Sequence, residues 1–178
     1  MIQLESEEKI LLKVRKHKFV LFMQSSFIPF LIVAPPIIYA ILNKTGYFVT
    51  LNSNVLYLFI FLYSAILLLC WTVFFVFWTD YYLDILIVTN KRIIDIEQKG
   101  FFNRELAIVR LEKVQDITVQ IKGILATFLD FGDLRIQTAG ESREFIVKNL
   151  PNPNEIRKII YGLHSEVLEK PKPVKIIE

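Results

Sequence analysis

Between Val55 and Trp78 the chain reads VLYLFIFLYSAILLLCWTVFFVFW, with no charge, glycine or proline. As a helix rising about 1.5 Å per residue, the run is roughly 36 Å long, enough to cross a hydrocarbon core of about 30 Å with some tilt. It predicts a transmembrane helix over 55–78. A segment patterned for strands follows almost at once, so a soluble domain is expected beside the membrane with little linker.

A second uncharged run, FVLFMQSSFIPFLIVAPPIIYAIL, covers 19–42. It is less regular. Gln24, Ser25 and Ser26 put polar groups near one end, and Pro29, Pro35 and Pro36 remove backbone donors and kink the helix. Those polar groups are read as transmembrane packing groups, satisfied by a neighbouring helix or a second protomer. The two runs account for a chain of 178 residues that is 53% hydrophobic: two regions face two solvents.

Residues 1–18 form a basic flank containing Lys9, Lys13, Arg15, Lys16 and Lys18. Ile10, Leu11 and Val14 suffice for a short amphipathic helix lying on the membrane surface with Leu4; the plainer reading is a charged flank that only sets orientation. The apolar run is too long and begins too late for a cleaved signal peptide. Residues 43–54, NKTGYFVTLNSN, read as an extracytoplasmic loop with Tyr47 and Phe48 at the interface. Its one cation is Lys44, whereas Lys91 and Arg92 follow the second run, so the positive-inside rule puts both termini in the cytoplasm.

From Leu83 onward the period becomes two. Ile85 and Ile87 precede a turn at Thr89–Arg92, then Ile94 and Ile96 alternate with Asp95 and Glu97 in a hairpin. Further alternation falls at Leu106 and Ile108, at Ile117, Val119 and Ile121, at Leu134 and Ile136 and at Phe145 and Val147, with the AGES turn before the last strand. ILATFLDF breaks the pattern; a helical turn is expected there, with Leu125, Phe128 and Leu129 plugging one end of the sheet. Asn152, Pro153 and Glu155 then open a helix whose Ile156, Ile159, Ile160, Leu163 and Val167 form one apolar stripe. Residues 79–168 read as this domain, an antiparallel barrel capped by the helix, and 169–178 as a flexible tail.

Strands in succession followed by one amphipathic helix is the element order of a pleckstrin-homology (PH) domain. More particularly, the sequence resembles the YdbS-like bacterial PH-domain family. The resemblance rests on Val88-Thr89-Asn90-Lys91-Arg92-Ile93, on Leu111 with Val114-Gln115-Asp116-Ile117, on Phe131-Gly132 before Leu134-Arg135-Ile136, and on Pro151-Asn152-Pro153. It implies two transmembrane helices ahead of an all-β PH-like barrel with a C-terminal helix, and a membrane-associated domain without general enzymatic activity. It does not imply phosphoinositide binding, because Lys91, Arg92 and Lys99 are the only cations to nominate around the first turn.

Little in the residues points to catalysis. The histidines are His17 and His164, and the sole cysteine, Cys70, lies inside an apolar run as a small apolar residue, so no zinc or disulfide framework is expected. Asp80, Asp84, Asp95, Asp116, Asp130 and Asp133 read as solvated strand-face or turn residues. Lys and Arg equal Asp and Glu in number over 79–178, which argues against nucleic acid as a partner. The expectation is a non-enzymatic multi-pass protein of the cell membrane with no cofactor. Its PH-like domain faces the cytoplasm for protein binding or scaffolding, and its partners are the lipid bilayer and other proteins or copies of itself. Two alternatives stand beside it. One is an anionic-lipid-sensing module contacting headgroups through Lys91, Arg92 and Lys99; the other is a small transporter or channel component in which Gln24, Ser25 and Ser26 line a pore.

Overall fold

The computed structural model describes Glu5 and residues 7–44, 53–100, 103–139 and 144–169. The expected loop over 43–54 beyond Lys44, the AGES turn beyond Ala139 and the tail after Glu169 lie outside the described residues. The chain divides into two compact units, one of residues 18–80 and one joining 1–17 to 81–178.

The first unit is helical. Helices α1 (Lys18–Ser25) and α2 (Phe27–Lys44) are separated at Ser26, and α3 runs from Ser53 to Leu83. The break has a local cause. Pro29 has no N–H to give the Ser25 carbonyl and its ring crowds that carbonyl, while the Ser25 and Ser26 hydroxyls bond back to the Leu21 and Met23 carbonyls at 2.8 and 2.9 Å. Pro35 and Pro36 both lie inside α2. With α1 and α2 taken together, Lys18–Lys44 and Leu56–Leu83 are two segments long and apolar enough to cross a membrane. Helix α3 continues past the expected end at Trp78 and through Tyr81–Leu83, the start of the segment read as strand-patterned, with no glycine or proline to interrupt it.

The second unit contains two antiparallel sheets. Strands β1 (Ile10–Arg15), β2 (Ile85–Thr89), β3 (Arg92–Lys99) and β4 (Asn103–Arg110) form one sheet in that order; β5 (Val114–Gln120), β6 (Phe131–Thr138) and β7 (Phe145–Pro151) form the other. A short helix α4 (Ile124–Phe128) joins β5 to β6, and α5 (Pro153–Glu169) closes the chain. The sheets remain separate rather than closing into the expected barrel; one 3-10 turn at Leu111–Lys113 carries the chain from one to the other.

Strand β1 corrects the reading of the N-terminal flank. Ile10–Arg15 is no surface helix; it is the edge strand of the first sheet, pairing Lys13 with Ile87 and Arg15 with Ile85. Its partner lies beyond both apolar helices in the chain.

The main core joins Leu86, Val88 and Ile93 of the first sheet to Ile117, Leu134, Ile136 and Leu150 of the second, with Ile156 and Ile160 of α5 and Leu111 packed among them. Ile87, Ile94 and Ile96 are also buried but form a separate cluster. Strand β3 therefore buries residues on both faces, and the face that alternation assigned to solvent is the one that enters the core: Ile93, two residues before Asp95, is in it. Helix α5 is fixed by its stripe and by polar bonds: the Tyr161 hydroxyl donates to Asp116 Oδ1 at 3.0 Å and accepts the Ile117 N–H at 3.2 Å, and His164 Nδ1 donates to the Leu111 carbonyl at 2.7 Å.

Candidate functional site

The β2–β3 turn, where the sequence nominated its cations, is built on a threonine. Thr89 Oγ1 accepts the N–H groups of Lys91 (3.2 Å) and Arg92 (2.9 Å), closing the turn. Asn90 binds the N-terminal segment beside it: its Oδ1 accepts the Lys9 N–H at 2.9 Å and its Nδ2 donates to the Glu7 carbonyl at 3.1 Å. The segment ahead of β1 is thereby laid against the turn.

That segment brings Glu8 to Arg92. Arg92 donates from Nε to Oε1 at 2.9 Å and from Nη2 to Oε2 at 2.8 Å, a bidentate pair in which the carboxylate is fully buried and the guanidinium 17% exposed. Glu8 also takes the Glu5 N–H on Oε2 at 2.8 Å, and its Oε1 lies 2.8 Å from the Thr89 hydroxyl. The bond from Arg92, against the opposing effect of burial, holds the Glu8 carboxyl down at about 2. The same bond raises Arg92.

The three candidate headgroup cations thus have different settings. Arg92 is turned inward onto Glu8. Lys91 is 41% exposed, with its Nζ 3.4 Å from Glu5 Oε2. The side chain of Lys99 lies outside the described residues. In the helical unit, Gln24 is exposed while Ser25 and Ser26 are bonded to their own helix.

A second cluster, missed in the sequence, lies where the two sheets face each other. Lys16, Asp84, Asp95, Glu97 and Lys148 line a cavity of about 30 Å³ with Leu86 and Val147, room for about one water molecule. Lys16 bridges Asp84 and, at 3.7 Å, Glu97; Asp84 also accepts the Gln98 N–H. Asp95 is not a solvated strand-face acid: burial, with Glu97 adding to it and Lys16 opposing, pushes its carboxyl up to about 6. Among the described residues no group of three or more His, Cys, Asp or Glu could hold a metal ion.

The expected plug is corrected for Leu125 and Phe128, while Leu129, just past α4, is half-buried. In α4 only Ala126 is buried, whereas Ile124 is 89%, Leu125 56% and Phe128 86% exposed. A helix this short spreads five side chains around its axis, and a small alanine is all that reaches the sheet.

Two antiparallel sheets with one C-terminal helix packed on their shared core form a PH-like fold. The chain belongs to the bacterial PH domain family, whose model matches residues 17–164. The match begins beyond β1. Two solved structures are similar to part of the chain. A pleckstrin-homology-domain protein from Shewanella loihica is 20% identical over 46% of this chain and 70% of its own, with a TM-score of 0.37. A pleckstrin homology domain from Shewanella amazonensis is 20% identical over 43% and 63%, with a TM-score of 0.36. A search of curated proteins returned no match.

Proposed function

We propose that this chain is a non-enzymatic integral membrane protein whose two apolar segments cross the cell membrane as a hairpin, and whose PH domain holds protein partners, or copies of itself, at the cytoplasmic face. Two segments long and apolar enough to cross support the membrane reading, and the observation that carries its hairpin form is the pairing of β1 with β2. One strand precedes both apolar segments and the other follows them, and hydrogen-bonded neighbours lie on one side of a bilayer. The intervening chain therefore crosses an even number of times, and the clustered Lys9, Lys13, Arg15, Lys16 and Lys18 favour the cytoplasm for its ends.

Protein contact is favoured over headgroup reading by the use of Arg92 within the fold and by strand β4. This strand is the outer member of its sheet, and Leu106 and Ile108, paired with the buried Ile96 and Ile94, are 51% and 46% exposed. An edge strand with apolar side chains can accept a partner strand or a second copy. The test is a photo-cross-linking amino acid at Ile108 of the full chain in native membranes, with Lys158 on α5 as control. Protein adducts from Ile108 and not from Lys158 are expected; lipid adducts alone, or none from Ile108, overturn the scaffold reading.

A further inference from the structure

We infer that α4 is a second, apolar membrane anchor of the PH domain, its Ile124, Leu125 and Phe128 inserted among the lipid chains of the leaflet from which the two spans emerge. The inference rests on the membrane reading above.

The first observation is the helix itself. At 100° per residue, Ile124, Phe128 and Leu125 fall within one 100° sector of α4, while the buried Ala126 points the other way. Their exposures of 89%, 86% and 56% are those of side chains held out from the body of the domain. Scattered apolar side chains are ordinary on a protein surface, but three on one turn form a patch. The turn is held in shape without help from those side chains. Gly123, at φ +94°, starts it, and the Gly123 carbonyl accepts both the Thr127 N–H at 3.1 Å and the Thr127 hydroxyl at 3.0 Å. A preformed apolar knuckle loses little entropy on insertion.

The second observation says what covers it. The chain leaves the domain for α1 at His17, and His17 is tied to the end of the domain that carries α4. Its ring stacks on Phe131 with centroids 5.2 Å apart, and its N–H donates to the Asn149 carbonyl at 2.8 Å. Phe131 opens β6, three residues after α4 ends. The chain returns from α3 at that end too: Arg15, two residues before His17, pairs with Ile85, the first residue of β2, and its guanidinium lies 4.2 Å over the Tyr82 ring. Both passages to the apolar helices and the exposed knuckle therefore share one end of the domain. With Tyr81 and Tyr82, where the chain re-enters the domain, that end has aromatic residues of the kind typical of a membrane interface. Lys122 and Asp130 flank α4 with opposite charge, so insertion is driven by apolar contact and does not require anionic lipid.

The experiment places a nitroxide on the full-length protein, with Cys70→Ser as background, reconstituted in neutral phosphatidylcholine vesicles. Labels go to Phe128→Cys, to Leu68→Cys at the exposed middle of α3 and to Lys158→Cys on α5. The readout is accessibility to oxygen against a water-soluble nickel chelate. The label at 128 is expected to be oxygen-accessible and shielded from nickel, as at 68 and unlike 158, and Ile124→Asp in the same chain is expected to return it to water. A lipid-shielded 68 with a water-exposed 128 overturns the inference alone; a water-exposed 68 overturns the membrane reading beneath it. Spin broadening at 128 that vanishes on dilution with unlabelled protein assigns α4 to a second copy instead, and equally overturns it.

Discussion

Without the Glu8 carboxylate the Arg92 guanidinium keeps its place in the fold but loses its bidentate partner. Breaking a buried pair from one side costs about 3–5 kcal/mol, because the remaining charge stays desolvated. Glu8→Ala is expected to destabilise the PH unit by that order in denaturant unfolding of the full chain in micelles, and Glu8→Ala with Arg92→Leu to recover most of the loss. Glu8, which is buried, and the half-buried Asp95 also oppose each other in pH dependence. Glu8, lowered from 4.5 to about 2, contributes stability that is complete above its unfolded value and drains away as pH falls towards 2. Asp95, raised from 3.8 to about 6, binds its proton more tightly in the folded protein, so its contribution is fully present below 3.8 and lost as pH rises through 6. Asp95→Asn is accordingly expected to raise the melting temperature at pH 7.5 and to leave it unchanged near pH 3.5. An equal shift at both values would mean that packing, not titration, sets its effect.

Among the elements, those in the hairpins and in α5 were legible because their signals are local: two-residue alternation, turn residues between strands, and Asn152-Pro153 with Glu155 before a 3.6-residue stripe. Strand β1 was not, since six residues of ILLKVR fit a helix or a strand equally and the partner that decides lies beyond both apolar helices. The cavity acids were hidden by β3, whose isoleucines on both faces leave alternation without a preferred side. Glu8 looked like any acid in a charged flank. Gly132 carried a readable signal as part of Phe131-Gly132, and its reason is steric: a Cβ there would sit 2.7 Å from the Gln120 carbonyl oxygen and 2.9 Å from Ile121 Cγ1. Gly132→Ala is expected to cost about 1–3 kcal/mol by forcing β6 from β5, read as a lowered unfolding midpoint. Strand β1 makes a matching prediction. A fragment from Thr79 to Glu178 lacks both the β1 edge and Glu8, so it is expected to aggregate or lose dispersed amide resonances, and joining residues 5–17 to Tyr81 through a flexible linker is expected to restore them. A well-dispersed, monomeric fragment without β1 would show the strand to be dispensable.

For the whole molecule, the split domain turns a question of sheet register into one of membrane topology. A domain that followed two spans in the chain would leave the N-terminal residues free to lie on either side. Here β1 is drawn into the sheet begun by β2, and the polar groups of both strands are satisfied only if they meet in one aqueous compartment. Lys13 and Lys158, both exposed, should then report the same side, and Lys44 at the far end of α2 the opposite one. In a Cys70→Ser background, a membrane-impermeant maleimide applied to intact cells stripped of any outer barrier is expected to label Lys44→Cys and to reach Lys13→Cys and Lys158→Cys only after permeabilisation. Labelling of Lys13→Cys and Lys158→Cys from opposite sides is incompatible with the β1–β2 pair, and labelling of all three from outside removes the hairpin. If Lys44→Cys alone is accessible, the domain is clamped to the membrane through both ends of the hairpin.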